Sequence, residues 1–158
     1  MPKQALQVAL LCRTAAMKIT PERETMMFDV RTSIGIGEVS SRVTSLGAAN
    51  GKAFVLSGHA FDKIVGTATR LAITTDHPIG NEGFQVIADY MNAIFKKMTS
   101  KQAAVIFEVL KGQNQLAIAK KLKKSKSTIH HHVFSGCWPE IKKLLHYYES
   151  MIVQLKIL

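Results

Sequence analysis

Cysteine is scarce in this chain: its 158 residues include two, Cys12 and Cys137. Neither belongs to a CxxC pair, and neither has a histidine or another cysteine at the spacing of a metal site. A disulfide framework and a cysteine-bound zinc module are therefore excluded. We expect a reduced, cytoplasmic protein that carries no metal and no other cofactor.

Long hydrophobic runs are also missing, so no segment of the sequence has the length that spans a bilayer. The apolar stretch 5–12 is short, Leu11 stands where a lipoprotein signal needs a small residue, and Arg13 follows. We interpret residues 2–19 as a buried helix rather than a signal peptide, and we expect no contact with a membrane.

Acidic residues are few, 11 against 21 Lys and Arg, which gives a formal net charge of +10. Much of the excess is local, because residues 99–132 carry seven Lys and one Glu. A protein this basic usually binds a polyanion or an acidic partner. The alternative for these lysines is a solvated helical face without a partner.

Hydrophobic periodicity predicts the organisation of the chain. Within residues 1–97 it predicts helices over 2–19, 53–65 and 82–97, strands over 28–36 and 70–75, and a loop over 40–52. Gly35 and Gly37 share one face of the first strand and leave room for close packing. Only helices are predicted beyond this part, so we place a domain boundary near 97–99 and divide the chain into 1–97 and 98–158.

The last predicted helix starts at Pro139 and carries an apolar stripe at near-heptad spacing. This stripe fits either a long core helix or the seam of a dimer. Trp138, directly before the helix, is expected to be an anchor in the core. The residues of the stripe are Ile141, Leu144, Leu145, Tyr148, Ile152 and Leu155.

Residues 115–133 have the pattern of two short helices joined by a tight turn. Ala119 is small where two helices must cross closely, and Ser125 stands where the second helix needs an N-cap. Four apolar residues can share one small core: Ile118, Leu122, Ile129 and Val133.

With the helix before it, this segment resembles the helix-turn-helix of region 4 of sigma factors and of quorum-sensing-type response regulators. The resemblance rests on Met98-Thr99-x-Lys101-Gln102, on Ile106 to Gly112, and on Gln115-x-x-Ile118-Ala119-x-x-Leu122-x-x-Ser125-x-Ser127-Thr128-Ile129-x-x-His132-Val133. In those families the second helix of the motif lies in the major groove of DNA. The resemblance therefore implies that DNA is contacted by Lys120, Lys124, Ser125, Lys126, Ser127, Thr128, His130 and His131.

Within this set, Lys126, Ser127, His130 and His131 would face bases or nearby phosphates. Lys120, Lys124 and Thr128 are better placed for the DNA backbone. Lys111, Lys121 and Lys123 are further candidates for phosphate contacts. The turn departs from the families in two places, because Lys123 stands where glycine is frequent and Lys124 replaces an apolar residue. A lysine in a left-handed turn costs about 1 kcal/mol.

The earlier part of the chain has a resemblance of its own. Asp29-Val30-Arg31-x-Ser33-Ile34-Gly35-Ile36-Gly37-Glu38-Val39, followed by Gly51-Lys52-Ala53-Phe54-x-x-Ser57-Gly58, resembles the later half of a class III nucleotide cyclase core. Cyclase chemistry also needs two metal-binding Asp residues and an Asn and an Arg on the following helix. Because residues 54–59 supply neither the Asn nor the Arg, and no earlier strand supplies the Asp pair, we predict that the chain is not an enzyme.

Together the two resemblances make the chain similar to the SatD family of bacterial proteins. They imply an α+β fold, in which a partial ferredoxin-like, cyclase-core-like part is followed by an all-α helix-turn-helix domain. Two strands are few for such a sheet, so either the chain is a fragment or a partner completes the sheet. We expect a homodimer.

The predicted function is a transcriptional regulator that binds double-stranded DNA. The first part would serve dimerisation or the sensing of a signal, and the sequence does not identify a small-molecule effector. The alternative is a catalytically inactive cyclase-like module that binds a nucleotide or a protein.

Overall fold

The computed structural model of the protein describes residues 2–39 and 50–155. Helices account for 65% of these residues, and a small parallel sheet of two strands makes the fold a mixed one of the α+β class. No helix in the described part is both long enough and apolar enough to cross a membrane.

The described chain begins with a short 3-10 turn at Pro2–Gln4. The elements that follow are α1 Ala5–Met17, β1 Thr32–Ile36, α2 Lys52–Ile64, β2 Leu71–Thr75, α3 Pro78–Lys96, α4 Ser100–Leu110, α5 Gln115–Leu122, α6 Lys126–Ser135 and α7 Trp138–Gln154.

Two of these boundaries correct the prediction. The first strand begins at Thr32 rather than Phe28. The backbone N–H of Thr32 makes the first bond towards β2, to the carbonyl oxygen of Arg70, and the side chain of Phe28 is exposed. Helix α3 begins at Pro78 rather than residue 82, because proline suits the first turn and His77 Nδ1 accepts from the N–H of Gly80. Most of the predicted loop 40–52 lies outside the described residues.

Helix α2 packs directly on β1, as the two glycines of that strand predicted. A Cβ atom on Gly35 would collide with the carbonyl oxygen of Ala53 and lie 2.6 Å from the backbone nitrogen of Ser57. A Cβ on Gly37 would lie 3.2 Å from the backbone nitrogen of Ala53. The strands run parallel, with Thr32 opposite Leu71 and Ile36 opposite Thr75, so α2 is the crossover between them.

Two asparagines of α3 cover the outer edge of β2. The side chain of Asn81 accepts from the N–H of Thr75 at 2.8 Å and donates to its carbonyl oxygen at 2.9 Å. The side chain of Asn92 donates to the carbonyl oxygen of Leu71 at 3.0 Å. These amides take the place of backbone groups of a third strand at the two ends of this edge, at Leu71 and Thr75.

A buried arginine joins α1 to the chain before β1. Both oxygens of Asp29 accept from the guanidinium of Arg13, at 3.0 and 2.7 Å, and Asn92 Oδ1 accepts a third bond at 3.2 Å. The guanidinium also lies 4.4 Å from the centre of the Phe95 ring. Arg13 is therefore paired with a carboxylate and hydrogen-bonded in the core, which offsets the burial of its charge.

The main hydrophobic core includes residues on both sides of the predicted boundary at 97. Leu6 and Leu10 of α1 and Phe84 and Phe95 of α3 share it with residues from both strands, α4 and α7. The division into 1–97 and 98–158 stays a prediction about folding units.

Helix α7 is a core helix along part of the predicted stripe. Ile141, Tyr148 and Ile152 are fully buried, and the hydroxyl of Tyr148 donates to the carbonyl oxygen of Pro2 at 2.9 Å. Burial raises the pKa of Tyr148, so this hydroxyl keeps its proton. This hydrogen bond joins α7 to the 3-10 turn that begins the described chain.

Candidate functional site

Helices α5 and α6 are held together by a second, smaller core. It contains the predicted apolar residues Ile118, Ile129 and Val133, with Leu122 packed against it, and Val105 of α4 adds a contribution from the preceding helix. Trp138 packs against both cores, which confirms its predicted role as an anchor. The helix pair is thus attached to the rest of the protein through α4 and the start of α7.

The turn between α5 and α6 is built on a left-handed lysine. Lys123 has φ 51° and ψ 47°, and the N–H of Lys124 reaches back to the carbonyl oxygen of Ala119 at 3.0 Å. Together with the bonds of the Lys123 N–H to the carbonyl oxygens of Ala119 and Lys120, this bond closes the end of α5. The turn therefore adopts the conformation that glycine provides in the resembling families, with lysine in its place.

Ser125 is the N-cap of α6, as predicted. Its Oγ accepts from the N–H of Thr128 at 3.1 Å and lies 2.9 Å from Ser127 Oγ and 2.8 Å from Thr128 Oγ1. The hydroxyls of Ser127 and Thr128 are therefore both within hydrogen-bonding distance of Ser125 Oγ at the start of the helix.

Three lysines line one open groove between α5 and the start of α6: Lys120, Lys124 and Lys126. All three are exposed, and none forms a salt bridge within the described residues. The groove also includes Asn114 and the exposed side chain of Leu116. The groove is thus a surface of positive charge without a direct carboxylate partner among the described residues, and the charge of Glu22, which pairs with Lys101, also acts on Lys124.

The exposed face of α6 continues this surface. Lys126, Ser127, His130 and His131 line it together with Phe134, whose side chain is 56% exposed. The rings of His130 and Phe134 are in contact, with 4.7 Å between their centres. Phe134 is not among the residues that the sequence pattern indicates, although its position four residues after His130 places it on the same helical face.

Lys121 of α5 and Lys111, which follows α4, contact other side chains of the described chain. Lys121 Nζ lies 2.8 Å from both oxygens of the buried Glu108 carboxylate. Lys111 Nζ lies 5.5 Å from the centre of the Phe107 ring, and Lys18 Nζ lies 3.5 Å from the same centre. Lys111 and Lys121 thus differ from the three lysines of the groove in having a contact with another side chain.

His132 differs from the two histidines before it, because it is half-buried and its Nδ1 has no hydrogen-bond partner within the described residues. Burial lowers its pKa, and the charges of His131, Lys101 and Lys124 lower it further. Among residues 2–39 and 50–155, no three His, Cys, Asp or Glu side chains are grouped to hold a metal ion.

A separate cavity of about 370 Å³ lies between the end of α3 and the junction of α6 and α7. Its lining includes Tyr90, Ile94 and Met98, together with Cys137 and Glu140. Burial and the nearby Glu140 raise the pKa of the Cys137 thiol. A thiol held protonated in this way is a poor nucleophile.

Comparisons of the chain with protein families, with curated proteins and with solved structures gave no match. The resemblances to helix-turn-helix proteins, to the cyclase core and to the SatD family therefore stay predictions from the sequence.

Proposed function

We propose that this protein binds double-stranded DNA as a transcriptional regulator, with α5 and α6 acting as a helix-turn-helix and α6 lying in the major groove. The observation that supports this most is the set of three lysines, Lys120, Lys124 and Lys126, which lie in one groove without carboxylate partners in the described chain. Exposed cations beside a presented helix can neutralise the phosphates that flank a groove of DNA.

The side chains of this surface divide into two roles. Lys120 and Lys124 lie beside α6 and would neutralise phosphates, which fixes the helix in the groove without reading the sequence. Ser127, His130 and His131 are exposed on α6 itself and would face base edges, with Lys126 near either a base or a phosphate.

Ser125 and Thr128 act indirectly in this proposal. Their hydroxyls bond to each other and to the first turn of α6, so they hold the start of the helix rather than contact a base. The ordered start also points free backbone N–H groups outwards, where a phosphate is favoured by the helix dipole.

Salt dependence of duplex binding tests the proposal. We would titrate the chain against a labelled mixed-sequence duplex and measure fluorescence anisotropy at several salt concentrations. Three phosphate contacts predict a slope of log K against log salt of roughly −3, because each contact contributes about −0.9. Absent binding, or affinity that does not change with salt, would contradict the proposal.

A charge-matched pair of variants locates the binding surface. Lys126→Glu reverses a charge on α6, and Lys63→Glu makes the same change on an exposed position of α2. We expect Lys126→Glu to weaken binding about tenfold or more and Lys63→Glu to have a much smaller effect. Equal losses would show that net charge alone governs binding and would exclude α6 as the interface.

A further inference from the structure

A second cavity, of about 390 Å³, lies between α1, the chain before β1, the segment that leads into β2 and the last part of α3. Its volume suits a small organic molecule. None of its lining residues belongs to α5 or α6, so it is separate from the candidate DNA interface. Apolar side chains of Met17, Met27 and Phe95 line it together with five charged ones: Arg13, Asp29, Arg70, Asp89 and Lys96.

The buried Arg13 keeps hydrogen-bonding capacity that the described residues do not use. A guanidinium has five N–H bonds, and three of those of Arg13 go to Asp29 and Asn92. The other two have no acceptor among the described residues, although the side chain is only 1% exposed. Unused donors on a buried cation are costly, so an acceptor in the cavity that Arg13 lines would stabilise the protein.

The charges of the lining favour an anion over a cation. Both oxygens of Asp29 already accept from Arg13. Arg70 and Lys96, in contrast, form no salt bridge within the described residues. Asp89 is the one other carboxylate of the described lining, so two unpaired cations stand against one unpaired carboxylate. A negative ligand is therefore attracted to this cavity.

Hydrogen bonds hold one wall of the cavity in place. The guanidinium of Arg31 donates to the carbonyl oxygens of Thr67 and Thr69, at 2.7 and 3.2 Å. The backbone N–H of Arg70 donates to Asn92 Oδ1 at 3.3 Å. The segment that carries Thr69 and Arg70 is thus fixed by the protein itself, as in preformed ligand sites, and Arg31 adds a positive charge beside it.

We propose that this cavity binds a small organic anion. The carboxylate or phosphate of the ligand accepts from the two unused N–H bonds of Arg13 and is attracted by Arg70 and Lys96. The apolar part of the ligand lies against Met17 and Met27. Binding needs no DNA, so failure of this proposal and failure of the DNA-binding proposal are seen in separate measurements.

Benzoate, phenyl phosphate and benzamide are the probes, because they share a benzene ring and differ in the polar group. We would measure the melting temperature and the heat of binding with each probe at constant ionic strength. We expect at least one of the two anions to bind and raise the melting temperature, and benzamide to have no such effect. The anion that binds more tightly identifies the polar group as a carboxylate or a phosphate. Absent binding of both anions at millimolar concentration, or equal binding of benzamide, overturns the proposal.

Two neighbouring lysines locate the binding. Lys96 lines this cavity and Lys97 lines the one beside the junction of α6 and α7, so Lys96→Gln and Lys97→Gln remove the same charge from adjacent exposed residues. We expect Lys96→Gln to weaken binding of the anion about threefold or more and Lys97→Gln to have a much smaller effect. Equal losses would show attraction by net charge alone and overturn the site.

Replacement of Arg70 tests the same site through a second cation. Its side chain is half-buried in the cavity lining, and a guanidinium can bind both oxygens of a carboxylate or phosphate. We therefore expect Arg70→Gln to weaken binding of the anion about tenfold. An unchanged affinity would overturn the assignment of the anion to this cavity. Arg13 is left in place in these experiments, because its removal would leave the Asp29 carboxylate unpaired.

Discussion

Lys121 of α5 lies 2.8 Å from both carboxylate oxygens of Glu108 on α4. The Glu108 side chain is 5% exposed and that of Lys121 is 55% exposed, so the pair has one buried and one solvated end. A buried carboxylate without a partner is costly, which makes this contact part of the attachment of α5 to α4. The neighbouring Lys120 has no such partner in the described chain and belongs to the candidate interface.

Replacement of Lys121 and Lys120 by methionine should separate stability from binding. Lys121→Met leaves the Glu108 carboxylate buried and unpaired, and we expect the free energy of unfolding to fall by about 1–3 kcal/mol. Lys120→Met should change this free energy little but weaken binding to a duplex. Urea denaturation and anisotropy measure the two effects, and equal stability of the two variants would contradict the role given to Glu108.

Replacement of Lys123 by glycine should stabilise the folded protein. Its φ of 51° is in the left-handed region, where a side chain is unfavourable and glycine is not. We expect Lys123→Gly to raise the free energy of unfolding by about 1 kcal/mol. Lys123→Ala keeps the Cβ atom and removes the charge, so it should give no comparable gain. A melting temperature that rises equally in both variants would indicate relief of charge repulsion instead.

Gly35 and Gly58 should respond to alanine in opposite directions. A Cβ on Gly35 meets backbone atoms of Ala53 and Ser57, which move only if α2 moves. We therefore expect Gly35→Ala to lower the free energy of unfolding by about 1–3 kcal/mol, as overpacking of a core does. A Cβ on Gly58, within α2, meets nothing within 4 Å, and alanine there should stabilise the protein by about 1 kcal/mol. Thermal unfolding of both variants measures this, and similar melting temperatures would contradict the close packing of α2 on β1.

Local patterns predicted much of the helical part of the chain. The N-cap at Ser125, the small core of Ile118, Ile129 and Val133, and the left-handed turn at Lys123 depend on residues near in sequence, so spacing alone shows them. The space for close packing at Gly35 was also predictable, because the alternation along β1 is a pattern of neighbouring residues. What the glycine faces became known only with the position of α2.

The contacts that sequence reasoning missed join residues far apart in the chain. Arg13 was read as a charge at the end of an apolar stretch, yet it is buried and paired with Asp29 and Asn92. Lys121 was grouped with the phosphate-binding lysines, although Glu108 lies against it. A side chain of this kind has the same local pattern whether it meets solvent or a distant carboxylate, so only the tertiary structure distinguishes the two.

His132 makes stability depend on pH. Burial and the charges of His131, Lys101 and Lys124 lower its pKa in the folded protein below the ordinary value of 6.5. The unfolded chain therefore binds a proton at His132 more readily than the folded chain does. Stability is unaffected by this group well above pH 6.5, and it falls as the pH decreases through 6.5 towards the lowered pKa.

Replacement of His132 by glutamine should remove this part of the pH dependence. We expect the wild type to lose more of its free energy of unfolding between about pH 7.5 and 5.5 than His132→Gln does, since glutamine takes up no proton in that range. His146→Gln is the matched control, because His146 is exposed on α7. Urea denaturation at each pH measures the difference. If both variants lose as much free energy of unfolding as the wild type over this pH range, protonation of another group causes the loss. The burial of His132 then has no effect on stability in this range.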